Sequence, residues 1–101
     1  MGAKARAFLD PPTYTERVQR LPCCVCRRRI GHTYGPAEAA HVKSRGAGGG
    51  EVGNLVPLCH HHHERQHRMG IKSFQAHYGV NLALEAERVR QYVEANDVRE
   101  S

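Results

Sequence analysis

Tryptophan is absent from this chain of 101 residues, and only six side chains are aromatic, four Tyr and two Phe. Glycine, by contrast, occurs ten times. So short a chain buries only a modest fraction of its surface, and this composition excludes a large, self-sufficient apolar core. The length fits one domain, over residues 1–101, which a bound metal ion would help to fold.

The sequence also has no apolar run long enough to span a membrane. Residues 1–10 lack the apolar stretch of a secretory signal peptide. We therefore expect a cytoplasmic protein that makes no membrane contact. In that compartment, the four cysteines are expected to be metal ligands rather than disulfide partners.

Acidic residues are scarce in the first part of the chain. Residues 1–72 have twelve Lys and Arg against five Asp and Glu, a net charge of +7, whereas residues 73–101 have a net charge of −2. This asymmetry favours a polyanion-binding face, with nucleic acid as the partner, backed by a solvated helix. Solubility alone is the other explanation of the excess charge.

Local patterns predict a β-hairpin between helical segments. Thr13 and Glu16 fit a capping box that begins a helix, which Pro22 ends. Residues 38–42 and 55–58 are expected to form two strands joined by a basic, glycine-rich loop. A helix is predicted from His60 to Met69, followed by a glycine at the position where helices commonly end.

Two further helices are predicted after residue 70. Ser73 is expected to cap a short one over residues 74–78, and Asn81 a longer one from about residue 82 to 95. The longer helix has an apolar stripe, and its charged side chains are expected to face water. The stripe is Leu82, Ala86, Val89 and Val93, and the charged side chains are Glu85, Glu87, Arg88 and Arg90.

Two ligand pairs have the spacing of a structural zinc site. Cys23 and Cys26 form Cys-x-x-Cys, and Cys59 and His62 form Cys-x-x-His. Four such ligands with no open position describe a closed, structural Zn²⁺ site. His61 and His63 could compete for the place of His62, whereas Cys24 is expected to be a small buried side chain.

A Cys-x-x-Cys pair can also be a thiol-redox site, but such a site is followed by a helix within a βαβ unit. Here Arg27, Arg28, Arg29 and then Gly31 follow, which predicts a turn instead. The three arginines are either a solvated turn or contacts to phosphate.

A second pair, His63 and His67, has the four-residue spacing that puts two imidazoles on one face of a helix. Both rings could then reach one metal ion. The pair is a weak signal alone, because a chain with eight histidines can contain it by chance.

Taken with His41 and Asn54, the pattern resembles the HNH endonucleases, also called ββα-metal or His-Me finger nucleases. The resemblance covers about residues 20–72, with a helical segment over about 73–96 outside it. It looks most like small phage- or prophage-encoded members with a structural zinc, some associated with recombination. The matching stretches are Ala40-His41-Val42, Gly48-Gly49, Gly53-Asn54 and the residues through Cys59, His62-His63, and His67.

The resemblance implies a metal-dependent enzyme that nicks or cuts DNA by phosphodiester hydrolysis. His41 would be the general base, and Asn54 would bond the backbone of the hairpin loop and hold His41 in orientation. His63 and His67 would hold the catalytic divalent ion, Mg²⁺, Mn²⁺, Ni²⁺ or Zn²⁺. The implied fold is a small zinc-stapled α+β domain, a β-hairpin plus a metal-binding helix with flanking helices.

DNA is the implied partner, in a bacterial host cell if the gene is phage-borne, and no small-molecule cofactor is expected. A monomer and a homodimer are both compatible with the sequence. Basic side chains near the motif are expected to contact phosphates without reading the base sequence. They are Lys43, Arg45, Arg65 and Arg68.

One position departs from the family pattern. In many members the residue before the general base is an Asp or His that binds the metal, whereas here it is Ala40. Glu38 lies on the same strand face by alternation and is a more distant substitute. The departure leaves room for a member that does not cut.

Two other functions fit parts of the pattern. A non-catalytic, zinc-stapled nucleic-acid-binding module would not need an imidazole at His41. A structural or protein-interaction zinc domain would not need the basic residues from Lys43 to Arg45.

Overall fold

A β-hairpin joins the helices of this protein, and the computed structural model describes residues 12–31, 35–43 and 50–100. Strands β1 (Ala37–His41) and β2 (Leu55–Cys59) pair antiparallel. Among the described residues there are also five helices, so the architecture is small α+β. The helices are α1 (Tyr14–Gln19), α2 (Cys24–Ile30), α3 (His60–Met69), α4 (Ile71–Tyr78) and α5 (Leu82–Glu100).

Helices cover both faces of the hairpin, and every residue of β2 is buried. Ala40 lies opposite Val56, and this face packs against Phe74 of α4 and Leu82 of α5. The other face of β2 presents Leu55, which packs with residues of α1 and the later part of α5. Because α3 begins at His60, directly after β2 ends at Cys59, the rigid strand fixes the position of the first turn of α3.

Three predicted helix boundaries are confirmed. The Thr13 side chain accepts a hydrogen bond from the Glu16 amide at 3.1 Å, and the Glu16 carboxylate accepts one from the Thr13 amide at 2.9 Å. Helix α3 has the predicted bounds, and Gly70 follows it with φ of +83°, a conformation that favours glycine. The Asn81 side chain accepts a hydrogen bond from the Leu84 amide at 3.0 Å, as expected of a helix cap.

Other local predictions were wrong. The residues after Cys23 form helix α2 rather than a turn, with Cys23 itself as the N-cap. Helix α4 begins at Ile71, directly after Gly70, and not behind a capping Ser73. Helix α5 continues to Glu100, beyond the predicted end near residue 95.

Glu85 was expected to face water and is instead 3% exposed. Its carboxylate pairs with Arg27 and Arg28 of α2 and with Arg88 of α5. The cause is tertiary: α2, which the sequence did not reveal, brings its arginines against the first turns of α5.

None of the helices within the described ranges combines the length and apolar character that crossing a membrane requires. Two predicted features, Arg45 and the Gly48-Gly49 pair, lie outside the described residues.

Candidate metal centres

Three cysteines and one histidine meet in a buried cluster, as their spacing predicts. The ligand atoms of Cys23, Cys26, Cys59 and His62 all lie within 4.8 Å of one another. His62 Nδ1 lies 3.2 Å from Cys59 Sγ, 3.5 Å from Cys23 Sγ and 3.6 Å from Cys26 Sγ. The Sγ atoms of Cys26 and Cys59 are 3.8 Å apart, and all four cysteines of the chain are free thiols.

These distances fit a tetrahedral zinc site. Zinc binds sulfur at about 2.3 Å and imidazole nitrogen at about 2.0–2.1 Å, so tetrahedral ligands stand about 3.8 Å apart for two sulfurs and about 3.6 Å for sulfur and nitrogen. The observed separations of 3.8 Å and 3.2–3.6 Å leave room for one such ion. The cluster can therefore hold a structural metal such as zinc, and it has no open position for a substrate.

Burial favours the neutral forms of two groups of the cluster when no metal is bound. Burial raises the pKa of the Cys23 thiol to about 11. Burial lowers the pKa of His62, which keeps the imidazole in the neutral form that binds metals. Metal binding would thus release thiol protons and replace them with one divalent charge.

The neighbouring Cys24 does not join the cluster. It is 2% exposed within the core, and burial raises the pKa of its thiol to about 12, so it is an inert side chain. A helix does follow the Cys-x-x-Cys pair, contrary to the prediction. The thiols of that pair nevertheless face Cys59 and His62, which is the arrangement of a ligand set rather than a redox pair.

A second group of possible ligands surrounds a cavity of about 350 Å³ at the exposed face of α3, which we call the cation cavity. Glu38 Oε1 lies 2.7 Å from His63 Nδ1, and Glu38 Oε2 lies 3.0 Å from His60 Nδ1. The ring centroids of His63 and His67 are 4.9 Å apart. The lining residues are Glu38, His60, His63, Glu64, His67 and Arg68.

The place of Glu38 follows from the pleat of β1. Side chains two apart along a strand share a face, so Glu38 projects on the side of Ala40, toward α3. The sequence predicted that shared face but treated Glu38 as distant, whereas its carboxylate is in direct contact with His63. Hydrogen bonds from His63 and His60 lower the pKa of Glu38, so the group is an anion at neutral pH.

His60 was left without a role by sequence reasoning. In the structure it lies 3.0 Å from Glu38 and 3.7 Å from Glu64, which makes it part of the cation cavity. Its position at the first residue of α3, three residues before His63, is the signal that could have shown this, because residues three apart share a helix face.

Asn54 ties together the two ends of the hairpin loop. Its Oδ1 accepts a hydrogen bond from the Lys43 amide at 2.8 Å. Its Nδ2 donates to the Lys43 carbonyl at 2.8 Å and to the Gly50 carbonyl at 2.9 Å. The contact expected of Asn54 with the loop backbone is thus present at both described ends of the loop.

His41 ends β1, and its backbone is fixed by α3, since the Gln66 side chain donates a 3.0 Å hydrogen bond to the His41 carbonyl. The ring nitrogen Nε2 of His41 is buried and has no hydrogen-bond partner in the described part of the chain. A buried, unpaired nitrogen costs about 1–3 kcal/mol, so it marks a position where a ligand or water would be stabilised.

The predicted phosphate contacts are spread over the surface. Lys43 and Arg68 are exposed, and Arg68 also lines the cation cavity. Arg65 is half-buried, and its Nε is buried without a partner in the described residues. Of the predicted phosphate contacts that the structure describes, Arg68 is therefore the one that lines the cavity, and Lys43 is exposed.

Comparison with protein-family models, with curated proteins and with solved structures found no match for this chain.

Proposed function

We propose that this protein is a metal-dependent DNA endonuclease of the HNH type. The observation that supports the proposal most directly is the buried, unpartnered Nε2 of His41. It lies on the strand that also supplies Glu38 to the cation cavity. An imidazole nitrogen that carries no proton can act as a general base, and because Nε2 has no exposed surface here, the ring must turn before the attacking water can reach it.

In the proposed step, His41 Nε2 takes a proton from a water molecule as the water oxygen bonds to phosphorus. The bond from phosphorus to the 3′-oxygen breaks, and that oxygen takes a proton from solvent. The products are a 5′-phosphate end and a 3′-hydroxyl end. Gln66 and Asn54 would position the reaction, because they fix the His41 carbonyl and the Lys43 amide two residues later.

Glu38, His63 and His67 are the residues that would hold the divalent ion. Such an ion neutralises charge on the scissile phosphate and on the leaving oxygen. One carboxylate and two imidazoles suit Mg²⁺, Mn²⁺, Ni²⁺ or Zn²⁺, and three ligands leave positions open for water and phosphate. Glu38 would thus supply the anionic ligand that Ala40 cannot.

The strand geometry limits where the phosphate can lie. Glu38 and His41 are three residues apart in β1, so their side chains leave opposite faces of the strand. The scissile phosphate would therefore lie at the carboxyl end of β1. The exposed Lys43 lies two residues after His41 and can bind a neighbouring phosphate.

The test is nicking of a supercoiled plasmid with Mg²⁺, Mn²⁺ or Ni²⁺. We expect wild type and the control His77→Ala, an exposed histidine on α4, to nick at the same rate. His41→Ala should be slower by about 10²–10⁴-fold, the usual contribution of a general base. Equal rates for His41→Ala and wild type, or no nicking with any metal by folded, zinc-loaded protein, would refute the proposal.

One observation favours a second function, a non-catalytic, zinc-stapled nucleic-acid-binding module. Within the described ranges, the zinc cluster is the only group of three or more ligands whose atoms all lie within 4.8 Å. The side chains around the cation cavity therefore do not form such a group of ligands. If this function is right, the protein and its His41→Ala variant will bind duplex DNA equally in a gel shift, and neither will nick it.

A further inference from the structure

A groove runs along α5, on a different surface from the cation cavity. One cavity of about 290 Å³ and a second of about 180 Å³ share two lining residues, Leu21 and Tyr92. The two cavities therefore adjoin, and we call them together the α5 groove. The first also borders Pro57, which pairs with Ala39 and so lies on the sheet face opposite Glu38.

The rim of the α5 groove is basic. Arg17 and Arg20 line one end, and Arg27 and Arg88 line the other. Among the described residues that line it, Glu85 is the only acid, and it is buried beneath Arg27 and Arg88 at 3.5 Å and 3.3 Å. The guanidinium groups of Arg20, Arg27 and Arg88 over one buried carboxylate leave a positive rim, which favours a partner with regularly spaced negative charges.

Two other acids of α5 have side chains that the structure describes, and neither lies in the groove. Glu87 and Glu94 both pair with Arg90, and none of these three residues lines the groove. Glu87 and Glu94 thus lie outside the basic rim.

The floor of the groove is apolar and contains an aromatic ring. Tyr92 is 55% exposed, although the chain has only six aromatic side chains to form a core. Leu21, Pro22 and Val89 line the same depression. An exposed ring over an apolar floor, with arginines at both ends, is the arrangement that stacks nucleic-acid bases while cations hold the phosphates.

The dimensions suit a short piece of one strand. Lining residues on α5 extend from Glu85 to Asn96, which is about 16 Å at 1.5 Å per residue. That length corresponds to about five nucleotides at the stacked spacing of about 3.4 Å each. A duplex would not use Tyr92, because its base faces are already stacked inside the helix.

We propose that the α5 groove binds single-stranded nucleic acid, with bases stacked on Tyr92 and phosphates held by the flanking arginines. The inference deepens the proposed function, since it gives the same partner a second contact, but binding in the groove requires no cleavage. An acidic peptide would use the arginines alone and would gain nothing from the exposed ring.

Binding is measured by fluorescence anisotropy of labelled oligo(dT) and of a matched duplex. The protein is the full, zinc-loaded chain with His41→Ala, which prevents cleavage. We expect Tyr92→Ala to weaken oligo(dT) binding about tenfold, within the range for loss of one stacked base, and Tyr92→Phe to preserve it. Duplex binding should not change. Leu84→Ala, which removes another exposed apolar side chain of α5, is the matched control.

Charge is tested separately. Arg88→Ala should reduce the slope of log affinity against log salt for oligo(dT) by about 0.7, the value for one lost phosphate contact on a single strand. Lys72→Ala removes an exposed cation of α4 outside the groove and should leave the slope unchanged.

Unchanged oligo(dT) binding by a folded Tyr92→Ala protein would overturn the proposal, as would tighter binding of polyglutamate than of oligo(dT). Either proposal can fail while the other stands. Tyr92-dependent binding without plasmid nicking would remove only the endonuclease, and nicking without any effect of Tyr92→Ala would remove only the groove.

Discussion

Glu38 of β1 and His63 of α3 are in direct contact, with Oε1 2.7 Å from Nδ1. The contact joins β1, which ends at His41, to α3, which contains His63 and His67. It also supplies an anionic group on the strand face where Ala40 has no ligand atom. The hydrogen bonds from His63 and His60 lower the pKa of Glu38, so the carboxylate is ionised without a metal present.

If the cation cavity holds a divalent ion as proposed, replacing Glu38 should weaken the binding of that ion. We expect Glu38→Gln to reduce the affinity for Mn²⁺ or Ni²⁺ at least about tenfold, with a parallel fall in plasmid nicking, while the structural zinc stays bound. Titration calorimetry measures the affinity. Glu64→Gln is the matched control, since Glu64 lines the same cavity but contacts only His60 there. If Glu38→Gln and Glu64→Gln lose the same metal affinity, the affinity depends on the total negative charge of the cavity and not on Glu38 in particular.

Asn54 should matter for both stability and cleavage. Asn54→Ala removes three hydrogen bonds to the backbone of Lys43 and Gly50, so the free energy of unfolding should fall by about 1–3 kcal/mol. Asn54→Asp keeps an acceptor for the Lys43 amide but cannot donate to the two carbonyls. If Asn54 positions the loop beside His41, both variants will lose kcat, measured by nicking at saturating DNA. A variant with lower Tm and full kcat would show a structural role alone.

The parts of the fold that the sequence predicted are those fixed by local chemistry. The cluster of three cysteines and one histidine follows from two short spacings, and the bounds of α3 follow from Gly70 and from the register of the histidines. The hairpin follows from short apolar stretches on either side of a glycine-rich loop. Each of these signals lies within a few residues of the structure it determines.

The parts that were missed depend on contacts between distant segments. Helix α2 has a cysteine rather than a serine or aspartate as its N-cap, so the usual sequence signal for a helix start is missing. Glu85 is buried because arginines more than fifty residues earlier pair with it. The contact of Glu38 with His63 likewise joins residues 25 apart, and alternation along β1 predicted only its direction.

Loss of one zinc ligand should unfold the domain or strongly destabilise it. Cys59→Ser removes a buried ligand at the junction of β2 and α3, and we expect loss of bound zinc with a large fall in Tm, because zinc binding contributes directly to folding in small domains. Cys24→Ala, one residue from a ligand but outside the cluster, should keep one zinc per chain. Metal analysis and thermal unfolding provide the two measurements. Unchanged zinc content in Cys59→Ser would contradict the four-ligand site.

Tyr14 should make stability sensitive to alkaline pH. Burial raises the pKa of Tyr14, whose hydroxyl accepts a 3.3 Å hydrogen bond from the Gly53 amide. The folded state thus favours the neutral phenol, so its contribution is complete below about pH 10 and declines as the pH rises beyond it. Tyr14→Phe should lower stability by about 0.5–1.5 kcal/mol near neutral pH and flatten the alkaline decline. Denaturant unfolding at several pH values measures both effects. If the stability of Tyr14→Phe declines at alkaline pH as steeply as that of wild type, other groups cause the decline.

Glu85 gives opposite predictions for stability and for nucleic-acid binding. Its carboxylate is 3% exposed and pairs with Arg27, Arg28 and Arg88, which are themselves about half exposed. Glu85→Gln should lower the free energy of unfolding by about 1–3 kcal/mol, less than for a fully buried pair because solvent screens the arginines.

The same change removes the one acid beneath the α5 groove, so oligo(dT) should bind more tightly at low salt and lose that gain as salt rises. Glu87→Gln, on the same helix but paired with Arg90 outside the groove, should change oligo(dT) affinity little. Calorimetric unfolding and anisotropy, run on the same preparations, separate the two effects. If affinity falls together with stability, Glu85 serves the groove by holding the arginines in place, and its negative charge does not oppose the strand.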